Sequence, residues 1–391
     1  MKHSKPIHPP MPQFSVENDC LHAGRQAVTQ LAQRVGTPFY VYDREIINRR
    51  VAYLRNSFPN DLHLHYAIKA NSMPALVQHM ATLIDGFDLA SAGEMQIALD
   101  TPMPTDKISF AGPGKRPEEL EAAVAAGIVI NMESDTEMQR ITDIAQRSGI
   151  RPKVAIRVNP DFELKSSGMK MGGGPKQFGI DAELVPAMLN ELKQRDLEFY
   201  GFHIFSGSQN LKADAIMETH EKTFALAQQL AEHAPSPVKL LNIGGGLGIP
   251  YFPGDDHLDL KPIGENLDRL LPGVKANLPE AEIVTELGRY LVGEAGLYIC
   301  RIIDRKVSRG ETFLITDGGM HHHLAASGNF GQFVRKNYPV VIANKVKGEI
   351  RETVNIVGPL CTPLDILADK MELSKADIGD LVAVYQSGAY G

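Results

Sequence analysis

Between residues 63 and 286 the chain alternates short β-branched and apolar runs with longer stretches whose apolar positions recur at helical spacing. The short runs cover 63–69, 86–90, 107–111, 129–133, 153–159, 199–205, 239–244 and 282–286. Helical patterns fill the gaps, as at 116–126, 135–148, 213–233 and 263–277. Such alternation predicts βα units and a parallel sheet. Eight strands, each but the last followed by a helix, predict a TIM-like (β/α)8 barrel rather than an open sheet. After Arg289 the pattern changes. Runs at 313–315, 339–342, 353–357 and 381–385, separated by Gly, Asn and Asp, predict a C-terminal β domain completed by N-terminal residues such as 38–42. The expected division is a barrel over 37–285 and a β-sheet domain built from 1–36 and 286–391.

Composition narrows the function classes. A chain of 391 residues with 43% hydrophobic and 22% charged residues has ample material for such a core. Its net charge of -7 offers no basic stripe, which argues against nucleic acid as a partner. Cys20, Cys300 and Cys361 share no metal-ligand spacing and form no disulfide framework, so a reducing, cytoplasmic setting is expected. The N-terminus carries Lys2, His3 and Lys5 without an apolar h-region, and no apolar run reaches about 18 residues. Neither secretion nor a membrane partner is expected.

The chemistry gathers at predicted strand ends, where barrel active sites form. In His65-Tyr66-Ala67-Ile68-Lys69-Ala70-Asn71 an apolar run delivers one lysine to the end of the first strand, just before a helix begins near Pro74. A buried ammonium is costly unless paired or discharged, and desolvation makes a lysine a better amine nucleophile toward aldehydes. A lysine at the end of an exposed strand is the plainer reading of that stretch alone. Asp88 lies late in the second strand, Arg157 in the fifth and His203 in the sixth; Gly244-Gly245-Gly246 follows the seventh, and Glu286 with Arg289 closes the eighth. A strand-end Asp often caps a helix and a Gly run often only turns the chain. Six such features from six strands exceed turn chemistry. The glycine run lacks the spacing of a Walker loop or a dinucleotide fingerprint, but offers backbone N–H groups to a phosphate, with Arg289 adding charge. An amine nucleophile, an imidazole, a carboxylate and a phosphate cradle together suit pyridoxal 5'-phosphate, held as a Schiff base on Lys69.

The residues that carry a family resemblance are Tyr-Ala-Ile-Lys-Ala-Asn at 66–71, Phe-Asp-Leu-Ala-Ser at 87–91, Gly-Phe-His-Ile at 201–204, Asn-Ile-Gly-Gly-Gly at 242–246, Glu-Leu-Gly-Arg-Tyr-Leu at 286–291, Gly-Pro-Leu-Cys-Thr-Pro-Leu-Asp at 358–365 and Gly-Ala-Tyr at 388–390. On these the chain resembles the fold type III pyridoxal-phosphate decarboxylases, the ornithine/diaminopimelate/arginine decarboxylase family, from about residue 37 to 390. The resemblance implies an alanine racemase-like barrel plus β domain and a catalytic set of Lys69, His203, Glu286 and Cys361. Lys69 would be the Schiff-base lysine, His203 would stack on the cofactor ring and Glu286 would partner its pyridine nitrogen. Asp88 and Arg157 would support the ring side. Gly244, Gly245, Gly246, Gly288, Arg289, Tyr390 and either Ser206 or Ser208 would serve the phosphate. Cys361, Thr362 and Asp365 would face substrate. Cys361 would reach the neighbouring subunit's site, implying a homodimer with active sites at the interface.

Three departures bear on substrate. Thr362 stands where members acting on a second amino group carry an acid, and an ammonium left unpaired in a closed site is costly. The stretch Asp317-Gly318-Gly319-Met320-His321-His322-His323 has no clear counterpart of the carboxylate-binding arginine of diaminopimelate enzymes. The stretch 203–209 is longer than the usual His-x-Gly-Ser, which leaves Ser206 and Ser208 as competitors. The three histidines are expected on a strand, pointing to alternate faces, and so to bind no metal. This profile looks like the subgroup that includes the butirosin-pathway and exosortase-associated decarboxylases. The expected activity is decarboxylation of an L- or D-configured α-amino acid, free or tethered to a carrier protein, to its amine. The alternatives are the diaminopimelate decarboxylase of lysine biosynthesis, a racemase on the same barrel, and a catalytically silent regulatory homologue. Glu286 speaks against the racemase, whose family places an arginine at the pyridine nitrogen, and the presence of Lys69 and Cys361 speaks against silence.

Overall fold

Eight parallel strands close on themselves in the computed structural model, which describes residue 8, residues 11–329 and residues 335–391. They are β1 (Leu62–Ala67), β2 (Gly86–Leu89), β3 (Ile108–Phe110), β4 (Val129–Met132), β5 (Lys153–Asn159), β6 (Glu198–Ile204), β7 (Leu240–Gly245) and β8 (Glu282–Leu287). Each pairs with the next, β8 pairs with β1, and the expected barrel is thereby closed. A helix follows every strand, the last a short one over Arg289–Val292. Local sequence sets the helix ends. Ser91 and Ser134 accept from the backbone N–H of Glu94 and Glu137 at the starts of Ala92–Leu99 and Asp135–Ser148. Gly127 and Gly149 end two helices in the left-handed conformation.

The first strand stops earlier than the apolar run suggested. It ends at Ala67, and Lys69 sits in a single 3-10 turn, Ile68–Ala70. That turn is held by a bond from Asn71 N–H to the Ile68 carbonyl at 3.0 Å, and Tyr66 Oη donates to the Asn71 carbonyl at 2.9 Å. The helix Pro74–Met80 follows with proline in its first turn.

Strand alternation gives the barrel its unusual interior. In β2, β3, β4 and β7 the residues Phe87, Leu89, Ile108, Phe110, Ile130, Met132, Leu241 and Ile243 are buried on one phase. The opposite phase carries Asp88, Ser109, Asn131 and Asn242, which bond to one another. Barrel interiors are usually filled by branched apolar side chains. This one is polar.

The second architecture is a sheet ordered Val340–Ile342, Leu381–Val384, Gly296–Ser308, Glu311–Thr316, Arg351–Val357, Ile366–Ser374, with Phe39–Tyr42 antiparallel to Gly296–Ser308. The two longest strands, Gly296–Ser308 and Ile366–Ser374, escaped the sequence pattern. Gly296–Ser308 is buried at both faces in its first half and exposed in its second, so no single period runs through it. The compact units are 1–49, 250–256 and 292–391 for the sheet, and 50–249 and 257–291 for the barrel. They differ from a division at 36/37 and 285/286 because strand pairing carries residues 39–42 into the sheet and 282–287 is wholly a barrel strand. Lys2, His3 and Lys5 lie outside the described residues. Among those described, no helix is long and apolar enough to cross a membrane.

His321–His323 lie in a turn rather than on a strand: the N–H groups of His322 and His323 both bond the Gly319 carbonyl, at 2.9 and 3.0 Å. His323 is buried, with Nε2 3.0 Å from Ser387 Oγ. Burial pushes His323, and His220 in the barrel unit, down to about 4. Unfolding raises each toward the ordinary value near 6.5, so between about 4 and 6.5 the unfolded chain binds protons that the folded one refuses. Stability therefore rises with pH through that window. In denaturant titrations at pH 5 and pH 7, His220→Leu should flatten this dependence by about 1.4 kcal/mol per pH unit at most. An unchanged slope would show that His220 is not excluded from protonation by the fold.

Candidate active site

Glu286 is the centre of the site. It is buried near the end of β8, beside His65 and Gly245 in strand register. Its Oε1 lies 3.4 Å from Lys69 Nζ, and its Oε2 lies 3.0 Å from His203 Nε2. Asn242 Nδ2 approaches the same Oε2 at 3.5 Å. Burial pushes the Glu286 carboxyl up, but Lys69, His203 and Arg157 outweigh it and hold the group well below the usual carboxylate range. An isolated buried carboxylate would instead take up a proton.

Lys69 differs from the sequence expectation. Its side chain is 40% exposed in the single chain, so ion pairing rather than desolvation is what the fold supplies. Its ammonium also lies over the Phe205 ring, 5.8 Å from the centroid, and acts electrostatically on Glu94. Burial raises the Glu94 carboxyl, and its Oε2 accepts from Ala90 N–H at 2.8 Å. Ser91-Ala92-Gly93-Glu94 was legible as a capping box, but nothing local linked Glu94 to Lys69.

His203 stands on β6 in register with Arg157 and Asn242. Despite its distance to Glu286, neither ring nitrogen makes an aligned hydrogen bond. Arg157 is clamped by the buried Glu133 at 3.0 Å and lies over Phe178, 4.9 Å from the ring centroid. Glu133 also accepts from Gly112 N–H at 2.5 Å and Gly179 N–H at 2.9 Å. Burial works against its ionisation, yet Arg157 and Lys115 hold it below the ordinary range. Asp88 is buried; its Oδ1 accepts from Ser109 Oγ at 2.5 Å and from Asn242 Nδ2 at 3.4 Å. Sequence reasoning named Asp88 and missed Asn242, Ser109, Glu133 and Glu94. Asn242 opens Asn-Ile-Gly-Gly-Gly, and its Oδ1 accepts from Gly244 N–H at 2.8 Å, so the motif held the signal.

The glycine turn is built for close approach. Gly244 and Gly246 take φ of +71° and +81°. A Cβ on Gly245 would stand 2.0 Å from the Glu286 carbonyl oxygen. Gly288 likewise leaves room for Ala70, whose Cβ would be 2.9 Å from an added Cβ, and so packs the end of β8 onto the Lys69 turn. Ser206 and Gly245 line one small cavity, and Ser206 Oγ is buried without a hydrogen-bond partner. Ser208 is half-buried in a two-residue strand paired with Met169–Lys170. Of the two serines, Ser206 is the one that lines this cavity. Arg289 starts the short helix after β8.

Cys361, Thr362, Asp365 and Tyr390 belong to the sheet unit. Cys361 is exposed, and Thr362 Oγ1 accepts from Leu364 N–H at 3.3 Å. Asp365 departs from its expected place among substrate-facing residues. It is buried and uses its oxygens to hold the loop, accepting from Met320 N–H at 2.6 Å and Leu360 N–H at 2.9 Å. Added Cβ atoms on Gly319 or Gly358 would clash with it. Tyr390, 41% exposed, adopts φ +57°.

Residues 44–293 match the family model described as the pyridoxal-binding domain of pyridoxal-dependent decarboxylases. The L-glutamyl-[BtrI acyl-carrier protein] decarboxylase of Niallia circulans is 37% identical over 371 residues, 93% of this chain and 86% of that protein. The diaminopimelate decarboxylase of Aquifex aeolicus is 35% identical over 368 residues, 93% of this chain and 84% of that one. The structure of the Helicobacter pylori diaminopimelate decarboxylase complexed with L-lysine superposes with a TM-score of 0.82 at 28% identity, covering 93% of this chain and 89% of that one.

One prediction follows from the glycine turn. Gly245→Ala must push β7 away from Glu286, so thermal denaturation should report a loss of about 1–3 kcal/mol. A variant as stable as the parent would mean that β7 and β8 separate freely at this point.

Proposed function

This chain belongs to the pyridoxal-dependent decarboxylase family, and on that premise we propose that it removes the α-carboxyl group of an amino-acid substrate whose distal end is neutral or acidic. A carrier-tethered aminoacyl group is the form favoured. The residues present fit pyridoxal phosphate. A buried anionic carboxylate suits a protonated ring nitrogen, a lysine beside it suits an aldehyde, and a buried unpartnered hydroxyl next to a left-handed glycine turn suits a phosphate. When bound, that cofactor supplies a ring able to accept the electron pair left as carbon dioxide departs.

The chain's own residues divide the remaining work. Lys69 is the attachment amine. Glu286 holds a proton at the ring nitrogen, since an opposite charge favours the protonated form. His203 would lie against the ring and helps keep Glu286 anionic, while Asp88 and Arg157 would support the ring side. Gly244, Gly245, Gly246, Gly288, Ser206, Arg289 and Tyr390 serve the phosphate. Cys361 supplies an acid to the site of a second copy, which makes the working enzyme a homodimer.

Thr362 carries the substrate reading: its hydroxyl is uncharged and accepts from Leu364 N–H, so it offers nothing to a distal ammonium. The relative named for a carrier-bound glutamyl group fits this. So does the Staphylococcus aureus relative named as a 2-[(L-alanin-3-ylcarbamoyl)methyl]-2-hydroxybutanedioate decarboxylase. The second reading, diaminopimelate decarboxylation, is favoured by the Aquifex aeolicus relative.

A carbon dioxide release screen over glutamate, carrier-linked glutamyl groups, lysine, ornithine and meso-diaminopimelate separates these readings. Diamino acids should be poor substrates, and Thr362→Glu should raise their kcat/KM relative to the native substrate. Efficient turnover of meso-diaminopimelate by the parent enzyme would transfer the chain to the second reading. For the shared site, mixing inactive Lys69→Ala with inactive Cys361→Ala should restore part of the activity through mixed dimers. No recovery after proven subunit exchange would count against it.

A further inference from the structure

The strands that bear Ser206 and the glycine turn part company just where the site begins. Pairing of β6 with β7 runs from Gly201 opposite Leu240 to His203 opposite Asn242 and stops there. Ser206 and Gly244-Gly245-Gly246 all lie beyond that last pair. Something other than the sheet must hold the two loops at a fixed spacing if their donors are to meet one phosphate.

Gln209 and Asn210 do this. Asn210 N–H donates to the Gly246 carbonyl and Gly248 N–H to the Asn210 carbonyl, both at 2.9 Å, which makes a parallel bridge between Asn210 and Leu247. The Gln209 side chain adds two further bonds. Its Nε2 donates to the Ile249 carbonyl at 2.6 Å, and its Oε1 accepts from Ile249 N–H at 3.2 Å. A carboxamide carries both a donor and an acceptor, so here it stands in for a backbone peptide and extends the bridge to Ile249. Ile249 is 1% exposed, and without this partner its N–H and carbonyl would be stranded away from water. Asn210 is fully buried and pins the base of the bridge, with Nδ2 donating to the Lys165 carbonyl and Oδ1 accepting from Lys212 N–H, both at 2.7 Å.

The approach of the two loops is close. A Cβ on Gly246 would stand 2.7 Å from the Gly207 carbonyl oxygen, and one on Gly248 would stand 2.9 Å from that of Asn210. Gln209 itself takes φ +59°, a conformation that costs a residue with a side chain more than it costs glycine. Its amide, rather than its backbone, accounts for a glutamine at that position. We infer that Gln209 is a positioning residue that clasps the Ser206 loop to the glycine turn and so fixes the spacing of the phosphate cradle. The amide bonds the backbone of Ile249 rather than the groups around Lys69 and Glu286. Its loss is therefore felt at the phosphate end of the ligand and not at the aldehyde end.

The inference rests on the pyridoxal-phosphate reading of the site. Equilibrium dialysis of the full-length protein, stripped of cofactor, against pyridoxal 5'-phosphate and against pyridoxal measures the two ends separately. The parent should bind the phosphorylated ligand about 100-fold or more tightly than pyridoxal. Gln209→Gly tolerates the left-handed backbone and removes the amide. It should weaken binding of pyridoxal 5'-phosphate about 10-fold or more, with pyridoxal changed less than about 3-fold. In the same variant the Gly248 and Ile249 amide hydrogens should exchange about 10-fold or more faster. Gln209→Asn also tolerates that backbone but falls one methylene short of Ile249, and it carries the test with the same expected loss if the glycine variant does not fold. A variant that keeps its preference for the phosphorylated ligand, or loses both ligands in equal proportion, would overturn the clasp. A parent that does not distinguish the two ligands would overturn the phosphate reading itself, and the inference with it.

Discussion

Everything in the site depends on keeping one buried carboxylate ionised. Glu286 is surrounded by barrel rather than water, and left alone it would become a neutral acid. Lys69, His203 and Arg157 reverse that outcome, and the first two stand at 3.4 and 3.0 Å. Because these three groups come from β5, β6 and the turn after β1, the charge of one side chain is set by the closure of the whole barrel. A strand that slipped by one residue would turn its contribution outward.

The same constraint explains the interior. A buried anion needs neighbours that can solvate it, and the usual branched apolar layers cannot. Asp88, Ser109, Asn131 and Asn242 replace them, each on the inward phase of its strand. Polar networks of this kind are costly when partly satisfied. The unmatched atoms here include ones on His203, Ser206, His65, Asp88 and Asn131. A cavity of about 180 Å³ lies against His65.

Glycine placement serves the same end by a different route. Gly245 and Gly288 lack side chains because backbone or methyl groups occupy that space. They draw β7, β8 and the Lys69 turn close enough for Glu286 and Lys69 to meet. In the sheet unit Gly319 and Gly358 make way for the Asp365 carboxylate, which organises the loop that presents Cys361 and Thr362.

Period and motif were enough to determine the barrel, its eight strands, the presence of a β domain and the family. Alternation of strand and helix is a local signal, and Lys69, His203, Gly244-Gly245-Gly246 and Glu286 sit in short stretches of unusual composition. Other features were decided only when distant strands met. The exposure of Lys69 follows from a 3-10 turn that breaks the strand two residues early. The duty of Asp365 toward the loop depends on Met320 and Leu360, and that of Asn242 on Asp88 and Glu286, 154 and 44 residues away in sequence. His65 reads locally as one more residue of an apolar strand. It becomes a close neighbour of Asp88 because β1 pairs with β2 and Gly86 leaves space for its ring. Local sequence sets which side chains face inward; which of them share a proton or a hydrogen bond is set by closure of the sheet.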